Sequence, residues 1–216
     1  LYSHRVLGIV VCSHIGETME HLDSNCPLIS FEREIAENIP AVLCDNYQGG
    51  ILEANRLFDA GCRNIAIFNP PTKENIPAYS REKAFMKCCE DKKISGRVVY
   101  TDRLAPLSEE FGNNILELLK KNSDLDGIFA TSDVMAANII RACKKMGKRV
   151  PEDISIVGFD DTWISTLTYP SITTIHQPVQ EMCEYAIEAI VKKVKSEKVP
   201  SQVVFPVELI DRESTK

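Results

Sequence analysis

Apolar and polar positions along the chain follow a pattern whose clearest block covers residues 126–161. The apolar run Gly127–Thr131 predicts a short buried strand, and a side-chain oxygen of Ser132 or its neighbours can cap the helix that follows. Gly147 marks the end of that helix, and Ile154–Phe159 is apolar enough for a second buried strand. The apolar helical positions, at three- and four-residue spacing, are Met135, Ile139, Ile140, Cys143 and Met146. The block therefore predicts one strand, helix and strand unit.

The same two patterns alternate over the rest of the chain. Short apolar runs predict strands at 6–12, 27–31, 41–44, 65–68, 98–100, 173–176, 203–205 and 207–210. Helical stripes predict helices at 14–22 and 47–60, one capped by Ser80 with Arg81 in its first turn, one capped by Ser108, and one at 179–194. Strands that alternate with helices indicate an α/β fold with parallel, Rossmann-like sheets.

Polar residues follow both strands of the clearest block. Ser132 and Asp133 come after the first strand, and Asp160 and Asp161 come after the second. Ligands of open parallel sheets bind beyond the carboxyl ends of the strands, so these side chains are candidates for a binding site. Carboxylates beside a helix N-terminus favour neutral polyols over a metal ion. The alternative, in which Asp133 is only a helix cap and Asp161 only a loop residue, stays open.

Composition limits the classes of partner. The chain has 216 residues, of which 44% are hydrophobic and 26% charged, which is typical of a globular protein with one or two domains. Its formal charge of -6 argues against a nucleic-acid groove within these residues, because phosphate binding needs clustered Lys and Arg. No apolar run approaches the ~20 residues that span a bilayer, and no signal peptide is visible. We therefore expect a cytoplasmic protein with no membrane contact.

The eight cysteines form no C-x-x-C pair and no zinc-like spacing with histidine. Cys12 and Cys44 fall in strand-like runs, and Cys143 and Cys183 fall on apolar helix faces. This distribution predicts small buried side chains in a reducing compartment, with a disulfide framework as the less favoured alternative.

The sequence offers little for catalysis or cofactor binding. His14, His21 and His176 form no cluster, and hydrolase, metalloprotease and dinucleotide-binding motifs are missing. The enzyme alternative is a hydrolase of the aspartyl-phosphate kind, but such enzymes need D-x-D spacing and Asp160 is adjacent to Asp161. We expect no enzymatic activity, no metal and no cofactor.

Several long motifs closely resemble the effector-binding core of the LacI/GalR family of bacterial transcription regulators. They are TSDVMAANIIRACKKMGKRVPEDISIVGFDD at 131–161, LTYPSITTIHQP at 167–178, IPAVLCDNYQGG at 39–50, FDAGCRNIAIF at 58–68 and FPVELIDREST at 205–215. Together they cover essentially the whole chain in the order that the family has. The resemblance is therefore specific, although each motif alone would be weak.

The resemblance implies a two-lobed fold like that of periplasmic binding proteins. The N-terminal lobe would hold 1–44 and 179–206, and the C-terminal lobe 45–178 and 207–216. Relatives have two further strand and helix units before the strand at 6–12, so we expect the N-terminal lobe of this chain to be incomplete. A helix-turn-helix, also outside this chain, would bind operator DNA. The implied partners are a small-molecule effector, such as a sugar, and a second copy of the chain in a homodimer. Surfaces around the helix of Phe85 and in the C-terminal lobe could form the dimer interface. A periplasmic-type sugar-binding protein is the alternative with the same fold.

The resemblance also implies the ligand-binding residues. Arg81 matches an arginine that points into the cleft between the lobes and donates to the effector, whereas its position alone also fits a surface arginine. Asp160 matches an acid that accepts hydrogen bonds from sugar hydroxyls. Two further candidates are Ser132, at a position where many relatives have Asn, and Glu32, at a position where many have Asp. Trp163 could stack on a sugar ring or pack against the lobe. Gln177 lies near a crossover between the lobes.

Overall fold

The computed structural model describes residues 6–12, 26–71 and 77–216. The helix predicted at 14–22, with His14 and His21, lies outside them. The chain forms two compact units. Unit 1 contains the described residues up to Asp45 together with Pro178–Pro206, and unit 2 contains 46–71, Ala78–Gln177 and Val207–Lys216. The arrangement of these units as the two lobes of one protein stays a prediction.

Ten strands and six helices alternate along the described residues. The strands are β1 (Ile9–Val11), β2 (Leu28–Phe31), β3 (Ala41–Cys44), β4 (Asn64–Asn69), β5 (Ser95–Tyr100), β6 (Gly127–Ala130), β7 (Ser155–Asp160), β8 (Thr173–His176), β9 (Gln202–Phe205) and β10 (Glu208–Ile210). The helices are α1 (Asn46–Asp59), α2 (Pro77–Lys92), α3 (Glu109–Lys121), α4 (Asp133–Lys145), α5 (Trp163–Leu167) and α6 (Val179–Val194). The predicted α/β fold is confirmed.

Unit 1 is a four-stranded parallel sheet in the order β1, β2, β3, β9, with α6 packed against it. Met182, Ala186 and Ala189 of α6 are buried, as an amphipathic helix requires. The apolar stripe of α6 is only partly buried, since Ile187 is 62% exposed. The run 6–12 is apolar on both faces, which predicts a buried strand, but Ile9 is only half-buried and β1 pairs with β2 alone among the described strands.

Unit 2 is a six-stranded sheet in the order β10, β8, β7, β6, β4, β5, in which only β10 runs antiparallel to its neighbour. All four residues of β6 are buried. Phe68, Phe129 and Phe159, one on each of β4, β6 and β7, have no exposed surface. Helices cover this sheet, and their buried faces supply the rest of the core.

Helix ends follow the predicted caps in two cases and depart from them in one. Ser132 accepts a hydrogen bond from the Met135 amide, and Ser108 caps α3 in the same way. The helix predicted to begin after Ser80 begins instead at Pro77, so Ser80 is not its cap and Arg81 lies in the second turn. Proline favours the first helical position because its φ is preset and it has no N–H to leave unpaired.

All eight cysteines are free thiols. Cys44, Cys62, Cys89 and Cys143 are buried as small apolar side chains, and burial raises the pKa of Cys143 to about 11. Cys12 and Cys183 are exposed, so the prediction of buried thiols was wrong at these two positions. Cys183 shares the exposed side of α6 described above.

Candidate functional site

The carboxyl ends of three adjacent strands of unit 2 carry the polar candidates. Ser132 follows β6, Asp160 ends β7, and Gln177 follows β8. Because β6, β7 and β8 are parallel neighbours, their carboxyl ends lie along one edge of the sheet. Unit 2 thus places these three candidates along one edge.

Arg81 reaches this edge from α2 and is buried, with 7% of its surface exposed. Its Nε donates to Asn46 Oδ1 at 2.7 Å and its Nη1 donates to the Thr131 carbonyl at 3.0 Å. The guanidinium lies 3.4 Å from the centre of the Phe159 ring. The alternative of a surface arginine is therefore wrong, and the guanidinium is fixed by two hydrogen bonds and one aromatic face. Its Nη2 has no hydrogen-bond partner among the described residues, so the fork retains donors.

Glycines let α1 approach this arginine and its aromatic support. A Cβ on Gly49 would lie 2.7 Å from the Phe159 ring, and a Cβ on Gly50 would collide with the Arg81 carbonyl oxygen. The two glycines thus permit a close approach between α1 and these neighbours. It brings Asn46, in the first turn of the same helix, within hydrogen-bond reach of Arg81.

Asp160 is half-buried and adopts an unusual backbone conformation, with φ at 105°. A non-glycine residue at this φ carries strain, which the surrounding structure must hold in place. Its carboxylate accepts a hydrogen bond of 2.7 Å from Gln177 Nε2. Two of the predicted ligand-binding side chains are thus directly bonded to each other.

The neighbouring acids are occupied by structural contacts. Asp133 is fully buried, and its carboxylate accepts hydrogen bonds from the Thr162 amide at 2.6 Å and from Thr174 Oγ1 at 2.6 Å. Burial raises the pKa of Asp133, and the hydrogen bonds from Thr174 and Thr162 oppose that rise only in part. Asp133 therefore ties α4 to the segments after β7 and within β8, which favours a structural role over a ligand contact.

Asp161 also faces protein groups. It accepts hydrogen bonds from Arg212 Nη2 at 2.6 Å, from His176 Nδ1 at 2.9 Å and from Ser165 Oγ at 3.4 Å. Burial raises the pKa of this carboxyl, but the bonds and charges of Arg212 and His176 outweigh burial and leave the pKa below its ordinary value. Of the two adjacent acids, Asp161 anchors the tail of the chain, and His176 serves the same contact.

The remaining candidates differ in their surroundings. Ser132 is half-buried, and its Oγ is occupied as acceptor by the Met135 amide at 3.2 Å, which leaves its hydroxyl proton available as a donor. Trp163 begins α5 and is 71% exposed, so the alternative in which it packs against the lobe is wrong. Glu32 belongs to unit 1, where its carboxylate accepts hydrogen bonds from the amide and thiol of Cys44. Only Glu32 among the six candidates lies outside unit 2.

The sequence prediction missed the residues that hold Arg81. Asn46, Thr131 and Phe159 fix the guanidinium, yet each falls in a segment whose pattern predicts only a helix start or a strand. Glu53 was missed as well: it is a carboxyl group on α1 with no exposed surface. The DNYQGG motif, with its two glycines, was the available sign that something packs closely against this helix.

Metal and membrane sites find no support in the part of the chain that the structure describes. No group of three or more His, Cys, Asp or Glu side chains is arranged there to hold a metal ion. None of the helices described there is long and apolar enough to cross a bilayer.

Comparison with known protein families gives one matching family model for most of the chain. Residues 54–215 match the model described as a periplasmic binding protein-like domain. Among curated relatives, the ribose operon repressor of Halalkalibacterium halodurans is 31% identical over 210 residues, which make up 97% of this chain and 62% of that repressor. The chain thus spans less than two thirds of the length of this relative.

Solved structures give the same picture. A periplasmic binding protein/LacI transcriptional regulator from Alkaliphilus metalliredigens QYMF, complexed with D-xylulofuranose, is 31% identical with a TM-score of 0.84 and covers 99% of this chain and 79% of that one. A LacI family transcriptional regulator from Enterococcus faecium with bound ribose is 26% identical with a TM-score of 0.84, over 99% of this chain and 81% of that one. The predicted resemblance to the LacI/GalR effector-binding core is confirmed.

Proposed function

We propose that this chain, which belongs to the family of periplasmic binding protein-like domains, is the effector-binding core of a LacI/GalR-type transcriptional regulator and that its effector is a sugar. The named relatives are transcriptional regulators, in agreement with the expectation of no enzymatic activity. Two of the similar structures hold a pentose, which makes a small sugar the first class to test.

One observation carries the proposal: Arg81 is held rigidly near the carboxyl ends of β7 and β8, where Asp160 and Gln177 lie. The guanidinium supplies hydrogen-bond donors in fixed positions, and the Asp160 carboxylate supplies acceptors. The side-chain amide of Gln177 can both donate and accept. Sugar hydroxyls both donate and accept, so this mixture suits a neutral polyol better than an anion or a metal ion. Ser132 and Trp163 would add a donor and an aromatic face, and the part of Glu32 in unit 1 stays a prediction.

The regulatory output follows from linkage. A sugar that binds one arrangement of the chain better than another shifts the population toward it, and an attached DNA-binding module then gains or loses operator affinity. Net charge supports the assignment of DNA contact to that module, since a core with a formal charge of -6 has no excess of basic groups for phosphates. Such a regulator would act in the cytoplasm.

A homodimer is part of this proposal, and unit 2 offers an apolar surface for it. Leu167 and Tyr169, at and just after the end of α5, are 73% and 92% exposed. Large apolar side chains grouped on a surface mark interaction sites. Phe85 itself is fully buried against Phe129, so the helix α2 would contribute other side chains than this one.

Thermal-shift measurements against a sugar library test the ligand class. A sugar present at 100 times its Kd adds about 2.7 kcal/mol to the free energy of unfolding, which raises the melting temperature measurably. Asp160→Asn keeps the size of the side chain and removes its charge, and we expect it to abolish the shift. The matched control is Asp59→Asn at an exposed position of α1, which removes one charge elsewhere and should keep the full shift. An unchanged shift in Asp160→Asn would place the site elsewhere, and no shift with any sugar would reject the ligand class.

A further inference from the structure

Glu53 is a fully buried carboxyl group whose two oxygens have no hydrogen-bond partner among the residues that the structure describes. An ionised carboxylate in such a place costs far more than a neutral acid, so the group keeps its proton instead. Burial accordingly raises the pKa of Glu53 well above its ordinary value. Burial and the lack of described partners both favour the neutral form of Glu53 in the folded chain.

This acid lies on the face of α1 that packs against the candidate site. Asn46, Gly49, Gly50 and Glu53 recur at helical spacing, and all four are buried. Asn46 bonds the Arg81 side chain, and Gly50 abuts the Arg81 backbone. Because side chains on a helix lean toward its N-terminus, that of Glu53 extends back toward the turn of the two glycines.

Three charged side chains act on the Glu53 carboxyl. Arg81 from α2 favours its ionised form, whereas Asp160 at the end of β7 and Asp133 at the start of α4 oppose it. Arg81 is thus the only positive group among the described charges that act on Glu53. A proton lost from Glu53 leaves a negative charge that two acids repel and one guanidinium can neutralise.

The present acceptors of Arg81 are weaker than a carboxylate would be. Asn46 Oδ1 and the Thr131 carbonyl are both neutral oxygens. The ionised guanidinium already strengthens both bonds, but a carboxylate acceptor adds the attraction of an opposite full charge, which the low dielectric of the interior makes larger. An ionised Glu53 therefore competes with Asn46 and Thr131 for Arg81.

We propose that Glu53 is a proton-controlled switch for Arg81: as a neutral acid it leaves the guanidinium at the site, and on losing its proton it draws the guanidinium inward. The movement follows from the contacts of unit 2 alone. Its consequence, loss of sugar affinity at alkaline pH, rests on the proposed function. The proton leaves to solvent as the carboxylate forms, and no other group changes its covalent state.

Carbon NMR of the Arg81 guanidinium tests the switch without any ligand. The 13Cζ resonance is assigned by its disappearance in Arg81→Lys and is followed from pH 6 upward in the intact chain. We expect one titration step in the wild type, absent from Glu53→Gln, whose amide cannot ionise. A step that persists in Glu53→Gln, or no step up to the pH at which the fold is lost, would overturn the proposal.

Two further measurements make each outcome decisive. Backbone amide spectra at each pH report whether the fold survives. If the wild type unfolds before the Arg81 resonance moves, the switch is rejected and Glu53 affects only stability.

Titrations with D-ribose at both ends of the pH range separate this switch from the proposed function. Ribose affinity that falls at alkaline pH only in the wild type supports the switch. A moving 13Cζ resonance without ribose binding at either pH supports the switch and counts against ribose as the ligand.

Discussion

Asp161 accepts a 2.6 Å hydrogen bond from Arg212, a residue 51 positions later, whereas the adjacent Asp160 accepts one from Gln177 at the strand edge. The backbone at both acids has a positive φ, 105° at Asp160 and 53° at Asp161. Two consecutive residues in this uncommon conformation turn their side chains to different surroundings. One carboxylate holds the chain's tail, and its neighbour remains at the site.

Substitution of the two acids should therefore lower the free energy of unfolding by different amounts. Asp161→Ala leaves Arg212 without its carboxylate partner and should lower the free energy of unfolding by roughly 2–3 kcal/mol. Asp160→Ala should lower it by only about 1 kcal/mol, which is the usual net contribution of one side-chain hydrogen bond, here the bond from Gln177. Urea unfolding of both variants measures this difference, and equal losses in the two would contradict the division of roles.

The approach of α1 to Phe159 is tested at Gly49. Gly49→Ala places a methyl group against the Phe159 ring, and overpacking of this kind costs roughly 1–3 kcal/mol, partly offset by the better helix propensity of alanine. Because Arg81 rests on the same ring, the variant should also lose most of the sugar-dependent thermal shift. Full stability together with a full shift would show that the ring is free to move.

The buried acid predicts how stability depends on pH. The folded-state pKa of Glu53 lies above its unfolded value, so the unfolded chain releases the proton first. The contribution of Glu53 to stability is then fully present below about pH 4.5 and is lost as pH rises toward the folded-state pKa, at up to about 1.4 kcal/mol per pH unit. Glu53→Gln removes this dependence, so its stability relative to the wild type should increase steadily above pH 5. Parallel stability curves for the two proteins would mean that Glu53 ionises normally.

The apolar surface of α5 predicts a dimer contact. Leu167→Glu places a charge among large exposed apolar side chains and should weaken self-association at least tenfold, because a buried unpaired charge is costly at an interface. Sedimentation equilibrium at micromolar concentrations measures the change, with Asp59→Asn as the control. A wild type that is monomeric at high micromolar concentration would count against the dimer, and an unchanged dimer in Leu167→Glu would place its interface elsewhere.

The sequence was most informative where local chemistry decides the structure. The unit from β6 to β7 was predictable because a capping serine, an apolar stripe and Gly147, with φ at 71°, mark its boundaries. The start of α2 was not, because Pro77 and Ser80 both suit a helix N-terminus and only the fold selects between them. The exposure of apolar residues on α6 could not be predicted for a related reason. A stripe of apolar residues shows that one face of a helix is apolar, but it does not show what covers that face.

The candidate site shows the same limit. Asp160 and Asp161 are identical residues at one strand end, and the partner that distinguishes them, Arg212, is distant in sequence. Arg81 could be named from the resemblance, but its support by Asn46 and Phe159 depends on packing between α1, α2 and β7. Nothing in the sequence singled out Glu53 itself, because a glutamate within a helix normally faces solvent.

A crystal structure of the chain with the sugar that gives the largest thermal shift would show directly whether Arg81 and Asp160 bind the effector. We expect sugar hydroxyls within hydrogen-bond distance of an Arg81 nitrogen and an Asp160 oxygen, with Arg81 still bonded to Asn46 and Asp161 still bonded to Arg212. A sugar bound at any place where it contacts neither Arg81 nor Asp160 would contradict it.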